Sequence, residues 1–256
     1  MLLAIDIGNT NIGFGLFDGG KLVQQFRCES ARNRTTDEYA VFVRQMMVLK
    51  EIDYRRIEGG IIASVVPALT DPLTEVVRRA FARDPLVVGQ TVRSGMPILY
   101  DSPREVGADR IVNAVAAFDQ VRGGVVVVDF GTATTFDCVS EKGEYLGGVI
   151  APGIQISADA LFSRAAKLHP VEIVRPAKVI GRNPAQSMQS GLVYGYAGLV
   201  DGVVTRIKAE LGYPVAVLGT GGLASLIAPQ TTTIDRVDDG LTLHGLRLLY
   251  ERNVDA

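Results

Sequence analysis

The chain has 256 residues, 47% hydrophobic and 21% charged, enough to bury full cores in two modest domains. Its 26 Lys and Arg against 28 Asp and Glu leave a net charge of −2 and a pI near 5.8, which argues against nucleic acid as a partner because no basic stripe is present. Two distant cysteines, Cys28 and Cys138, make a disulfide framework improbable and reduced thiols the default, and apolar runs of only strand length behind an unflanked N-terminus predict a cytoplasmic protein with no membrane partner.

In chain order, Leu2 to Ile5 is an apolar run that meets Asp6-Ile7-Gly8-Asn9-Thr10-Asn11, then an alternating stretch from Ile12 and Gly13 to Asp18-Gly19-Gly20-Lys21. This predicts strand, tight turn, strand. Lys21 to Arg27 reads as a third strand and Glu29 to Arg34 as a charged loop. Thr36 to Leu49 reads as a helix capped by Thr35 or Thr36, with Asp37 and Glu38 in its first turn. Gly60 to Val66 predicts a buried strand and Pro67 to Phe81 a helix with proline near its start, while Arg55-Arg56 and Arg78-Arg79 read as solvated charges. Gly107 breaks an extended stretch, and Asp109 and Arg110 begin a helix whose Ile111, Val112, Ala114, Val115 and Phe118 form an apolar stripe. Gly123-Gly124 opens a second series: Val125 to Val128, Asp129-Phe130-Gly131-Thr132-Ala133-Thr134, and a turn at Glu141-Lys142-Gly143-Glu144. From Asn183 to Leu211 a long helical segment carries Gly191, Gly195, Gly198 and Gly202, which cost helix propensity and predict dense packing within or between subunits. Val215 to Leu218 predicts a buried strand running through Gly219-Thr220-Gly221-Gly222 into a helical-looking Leu223 to Ala228, and the final helix spans Leu241 to Arg252. Such alternation gives an α/β layer architecture.

The two Asp-x-Gly turns lie 123 residues apart, close to half the chain, and suggest duplicated domains. Glycine lets the backbone approach a ligand, and the Asn or Thr that follows offers short donors beside exposed N–H groups, a combination suited to phosphate oxygens. A carboxylate facing a polyphosphate repels it, so Asp6 and Asp129 imply bound cations or a proton-accepting role. One copy alone reads more simply as a hairpin; two matched copies favour the phosphate reading. The strand, glycine turn and helix start at Gly219 is a nucleotide-binding geometry, yet it lacks G-x-G-x-x-G spacing, and neither Asp-x-Gly loop ends in G-K-[ST]. Asp109, in a helix first turn, either complements the helix end or acts as a general base. Arg110 suits an anion, with a surface ion pair to Asp109 or Glu105 as its other reading. His169 and His244 lack metal-ligand spacing.

The ordered set of Asp6 to Asn11, Gly107-Ala108-Asp109-Arg110, Asp129 to Thr135, Gly147 to Gly153, Met188 to Gly191 and Leu241 to Leu246 resembles type III pantothenate kinase, of the actin, sugar kinase and Hsp70 superfamily, over nearly the whole length. The resemblance implies two duplicated actin-like, ribonuclease H-like α/β domains with a nucleotide cleft between them. Residues 1–120 would carry phosphate loop one and the catalytic aspartate. Residues 121–256 would carry phosphate loop two and the adenosine loop, the last helix packing back on the first domain. It implies transfer of a phosphoryl group from ATP to pantothenate, the first step toward coenzyme A. Asp109 would be the base, with Tyr100, Gly107, Ala108, Arg110 and Pro184 on the pantothenate side. Asp6, Ile7, Gly8, Asn9, Thr10, Asn11, Ile12, Gly13 and Thr132 would serve the phosphates, and Gly219, Thr220, Gly221 and Gly222 the adenosine. Asp6 would face Mg²⁺, directly or through water, and Asp129 a monovalent cation, K⁺ or NH₄⁺. A homodimer is implied, with an expected interface on the long helix, where its glycines and its apolar residues Met188, Leu192, Val193, Tyr196 and Leu199 would supply the contact. One departure stands out: relatives carry Gly-Lys-Asn-Thr where this chain has Gly181-Arg182-Asn183-Pro184. One lost neutral hydrogen bond costs about 0.5–1.5 kcal/mol, which touches affinity more than reaction class. A nucleotide-dependent regulatory accessory protein, or another small-molecule kinase of the superfamily, is the alternative.

Overall fold

Each Asp-x-Gly turn joins the central strand of a five-stranded sheet to one of its neighbours, and the two sheets share one plan. The structure, a computed structural model, describes residues 1–254. The chain divides into unit 1 (Met1–Met96, Tyr100–Ala116, Gly240–Ala256) and unit 2 (Pro97–Leu99, Ala117–Asp239).

In unit 1, β1 (Leu2–Ile7), β2 (Asn11–Asp18) and β3 (Lys21–Glu29) form an antiparallel meander. Its second turn is closed by Gly19 and Gly20 at φ +54° and +79°, values that favour glycine. Helix α1 (Thr36–Leu49) follows; Thr35 caps it and Glu38 reaches back to the Thr35 N–H, completing a capping box. β4 (Gly59–Ser64) returns parallel to β1, as a long crossover permits, and α2 (Pro67–Phe81) leads to the short β5 (Leu86–Val87). The order is β3-β2-β1-β4-β5. Leu3, Ile5, Phe14, Tyr39, Ile62 and Leu73 anchor its core.

The chain crosses from unit 1 to unit 2 within α3 (Ala108–Val121). β6 (Val125–Phe130), β7 (Ala133–Val139) and β8 (Tyr145–Pro152) repeat the meander, followed by α4 (Ile154–Arg164), the 28-residue α5 (Pro184–Leu211), β9 (Ala216–Thr220), α6 (Ala224–Ile227) and β10 (Arg236–Val237). The sheet order is β10-β9-β6-β7-β8, the unit 1 order read from its other edge, with parallel and antiparallel pairings in matching places. α7 (Leu241–Val254) returns to unit 1 and packs on β1, β2 and β4.

α5 corrects the expected interface. Met188, Leu192, Val193 and Tyr196 are buried in the core of unit 2, and Leu199 packs against that core. Their spacing puts them on one face of the helix with Val200 and Val204. Gly191, Gly195 and Gly198 occupy the other side: a Cβ added at any of them would meet no atom within 4 Å. The glycines therefore make no dense packing within this chain. Both cysteines are free thiols. Arg55, Arg56, Arg78 and Arg79 form exposed ion pairs with Asp53, Asp18 and Glu75, which contribute little to stability.

Candidate active site

At the carboxyl end of β1, Asp6 pairs across the hairpin with Gly13 and Ile7 with Ile12, leaving residues 8–11 as the loop. The Gly8 N–H donates to the Asn11 carbonyl at 3.0 Å, and a Cβ on Gly8 would press on that same oxygen at 3.0 Å. Ser30, just past β3, donates its hydroxyl to the Gly8 carbonyl at 2.6 Å and its N–H to the Thr10 carbonyl at 2.9 Å. Asn9, Thr10 and Asn11 stay exposed. No motif pointed to Ser30, because its role lies in hydrogen bonds to backbone carbonyls.

The Val65 N–H donates to the Ile7 carbonyl at 3.0 Å, tying the segment after β4 to the same strand end. Gly107 lies against Val65: its added Cβ would be 3.7 Å from Val65 Cγ1 and only 2.6 Å from Asp109 Oδ1. A side chain at 107 would displace the Asp109 carboxylate, which folds back over this turn so that Oδ1 accepts the Arg110 N–H at 2.8 Å. Unit 1 thus brings the Asp6 loop and Gly107-Ala108-Asp109-Arg110 to the carboxyl ends of adjacent strands, where open α/β sheets bind ligands. Burial raises the Asp109 pKa above the ordinary 3.8, while the N–H and the positive charge of Arg110 pull the other way. Arg110 is itself buried, at 9% exposure.

In unit 2, Asp129 pairs with Thr135 on β7 and Thr220 on β9. Its carboxylate is cradled by glycines: a Cβ on Gly131 would lie 3.4 Å from Oδ1, and one on Gly221, at φ +92°, would collide with Oδ1 and stand 2.7 Å from the Phe130 nitrogen. Gly153 packs on the Gly131 and Thr132 carbonyls so closely that no Cβ fits. Thr132 is exposed in the turn. The third loop departs from its sequence reading. β9 runs on through Gly219 and Thr220, the Thr220 hydroxyl is buried and donates to the Asp238 carbonyl at 2.7 Å, and the following α6 is a single turn. Gly221, Gly222 and Leu223 form the turn.

Residues 97–99 belong to unit 2 because β8 holds them: the Leu99 N–H donates to the Tyr145 carbonyl at 2.8 Å and the Tyr145 N–H to the Pro97 carbonyl at 2.9 Å. The Tyr145 hydroxyl donates to the fully buried Asp137 at 2.7 Å, whose other oxygen accepts from Thr135 at 3.1 Å. Tyr100, 36% exposed, follows this anchored segment directly. Pro184 is the first residue of α5, exposed, behind an Asn183 cap whose side chain accepts the Gln186 N–H at 2.9 Å. His169 is exposed and His244 stands edge-on to Phe17.

Among the described residues no cluster of three His, Cys, Asp or Glu could cage a metal. Mg²⁺ does not require such a cage, since it commonly takes one or two carboxylates and completes its shell with substrate phosphates and water. No helix among them is long and apolar enough to cross a membrane.

A family model described as type III pantothenate kinase matches residues 2–206. A type III pantothenate kinase of Myxococcus xanthus is 56% identical, covering 99% of both chains, and one of Moorella thermoacetica is 55% identical over 99% of this chain and 100% of its own. Among solved structures, a Campylobacter jejuni protein described as a conserved Baf family transcriptional activator aligns with a TM-score of 0.62 at 19% identity, over 99% of this chain and 100% of its own. A ROK family glucokinase from Streptomyces griseus aligns at 0.56 and 11% identity, over 98% and 99%. These likenesses identify the fold as the two-domain α/β fold of the actin-like sugar kinases. With the family model spanning most of the chain and relatives above half identity along all of it, the chain belongs to the type III pantothenate kinase family.

Proposed function

We infer that this chain transfers the γ-phosphoryl group of ATP to the primary hydroxyl of pantothenate, yielding 4′-phosphopantothenate and ADP, the first step toward coenzyme A. The observation that carries the chemistry is Asp109: its carboxylate is held against Gly107 at the end of the unit 1 sheet, and burial makes it more basic than an ordinary aspartate. As the new P–O bond forms and the bond from the γ-phosphorus to the bridging oxygen breaks, the hydroxyl proton passes to the Asp109 carboxylate and ADP leaves. The transition state is loose, so positioning and charge neutralisation carry most of the rate.

The phosphate loops supply that positioning. Residues 8–11 present exposed donors and Thr132 adds a hydroxyl, while Ile7, Ile12 and Gly13 fix the first loop by their pairing. Asp6 would hold Mg²⁺, which when bound would offset the charge on the phosphates. Asp129, whose carboxylate sits in a glycine cradle, would hold K⁺ or NH₄⁺. Gly221 and Gly222 supply a flat surface for adenosine, with Gly219 and Thr220 acting through the strand beneath. Arg110 provides charge for the pantothenate carboxylate, and Tyr100 and Ala108 line that side. The chain works as a cytoplasmic homodimer whose interface uses the glycine face of α5, the side left open by its own core, bringing Pro184 of one subunit to the pantothenate site of the other.

ADP release measured with pantothenate and with unrelated hydroxy-acids, in K⁺ and in Na⁺ alone, tests this reading. Release specific to pantothenate and dependent on K⁺ or NH₄⁺ is expected, with Asp129→Ala losing that dependence together with most of the rate. Equal release with every acid would remove the substrate, and full activity in Na⁺ alone would remove the cation.

A further inference from the structure

We propose that Ser30 is a positioning residue for ATP, its hydroxyl fixing the Gly8 peptide so that the Asn9 N–H is aimed at phosphate. The proposal rests on reading residues 8–11 as a phosphate loop. Ser30 stands 22 residues from Gly8. Its two hydrogen bonds reach two different peptide planes of the same loop, the hydroxyl to the Gly8 carbonyl at 2.6 Å and the N–H to the Thr10 carbonyl at 2.9 Å.

A trans peptide is planar, with its N–H directed opposite to its C=O. Holding the Gly8 carbonyl toward Ser30 therefore turns the Asn9 N–H away from Ser30, on a loop whose next three residues are exposed. Gly8 is where such a restraint matters most, since glycine has the widest backbone freedom and gives the loop least order of its own. A donor fixed before the anion arrives spares the ordering cost of binding and serves the charge that develops during transfer. The two contacts are separable. The Ser30 N–H bond to Thr10 continues the pairing of β2 with β3 and survives any side-chain change, so the hydroxyl bond to Gly8 is the part free to act on the loop.

The test compares wild type with Ser30→Ala and Ser30→Thr. Affinity for AMP-PNP with Mg²⁺ is measured by calorimetry, KM separately for ATP and pantothenate, and the Asn9 amide followed by NMR in isotope-labelled protein as AMP-PNP is added. We expect Ser30→Ala to weaken AMP-PNP and raise the ATP KM about 3–10-fold, in line with one lost hydrogen bond. Its pantothenate KM should stay within about twofold, and Ser30→Thr should restore both ATP values. A wild-type Asn9 amide that AMP-PNP does not move would overturn the loop reading and this proposal with it. An amide that moves, beside a Ser30→Ala protein with wild-type ATP values or with both KM values raised alike, would overturn the proposal alone.

Discussion

Asp109 joins two opposed demands in one side chain. Its folded-state pKa lies above the ordinary 3.8, so the ionised form carries a cost in the native protein that is present above the raised value. That cost fades as pH falls through the folded pKa and is gone below the unfolded one. Asp109→Asn should therefore lose turnover by roughly 10²–10⁴-fold while keeping ATP affinity, as when a positioned base is removed. It should also melt no lower than wild type at neutral pH, with any advantage shrinking as the solution is acidified, a difference that thermal melts across pH would read. The wild-type rate should fall on the acid side through the same raised pKa. A variant that keeps near-normal rate would reduce Asp109 to a helix-end charge. The candidate site residues could be picked out in sequence because Asp-x-Gly and Gly-Ala-Asp-Arg are local patterns. Ser30 and Asp137 were not legible in that way, since each acts on a residue its own local sequence does not name. Ser30 could have been found by carrying the hairpin register one step past β3 to the residue facing the loop.

At the level of elements, periodicity and capping carried the reading where local physics decides the outcome. α1 begins after Thr35, and Pro67 and Pro184 open α2 and α5. Where tertiary packing decides, sequence fell short. The apolar residues of α5 could face a core or a partner, and helical spacing alone does not distinguish the two; the structure gives them to the core of unit 2 and leaves the glycines outside. A substitution on the apolar face, such as Leu192→Asp, would test the core and not the dimer. Gly195→Arg tests the dimer: its Cβ meets no atom of its own chain, so the fold should persist by circular dichroism while light scattering shows dimer giving way to monomer. A wild-type protein that is a fully active monomer would contradict the interface. The loop at Gly219 was misjudged for a related reason, because β6 and β10 flank β9 and extend it to Thr220 beyond the apolar run.

Across the whole molecule, duplication was the most legible property. A repeat of strand, turn and strand at half the chain length reappears as two sheets of the same order and sense. The copies differ in turn length: four residues lie between the paired Ile7 and Ile12, and three between Phe130 and Thr134. The assignment of residues 97–99 to unit 2 was not legible, since it depends on main-chain bonds to Tyr145 far along the chain. The central claim is that this duplicated scaffold phosphorylates pantothenate with Asp109 as base. The most direct test is phosphorus NMR of the product formed from ATP and pantothenate by wild type and Asp109→Asn in parallel. Wild type is expected to form a phosphomonoester on the primary hydroxyl of pantothenate, and the variant to form it about 10²-fold or more slowly; wild-type protein that forms no such ester, or a variant that forms it equally fast, would overturn Asp109-based phosphorylation of pantothenate.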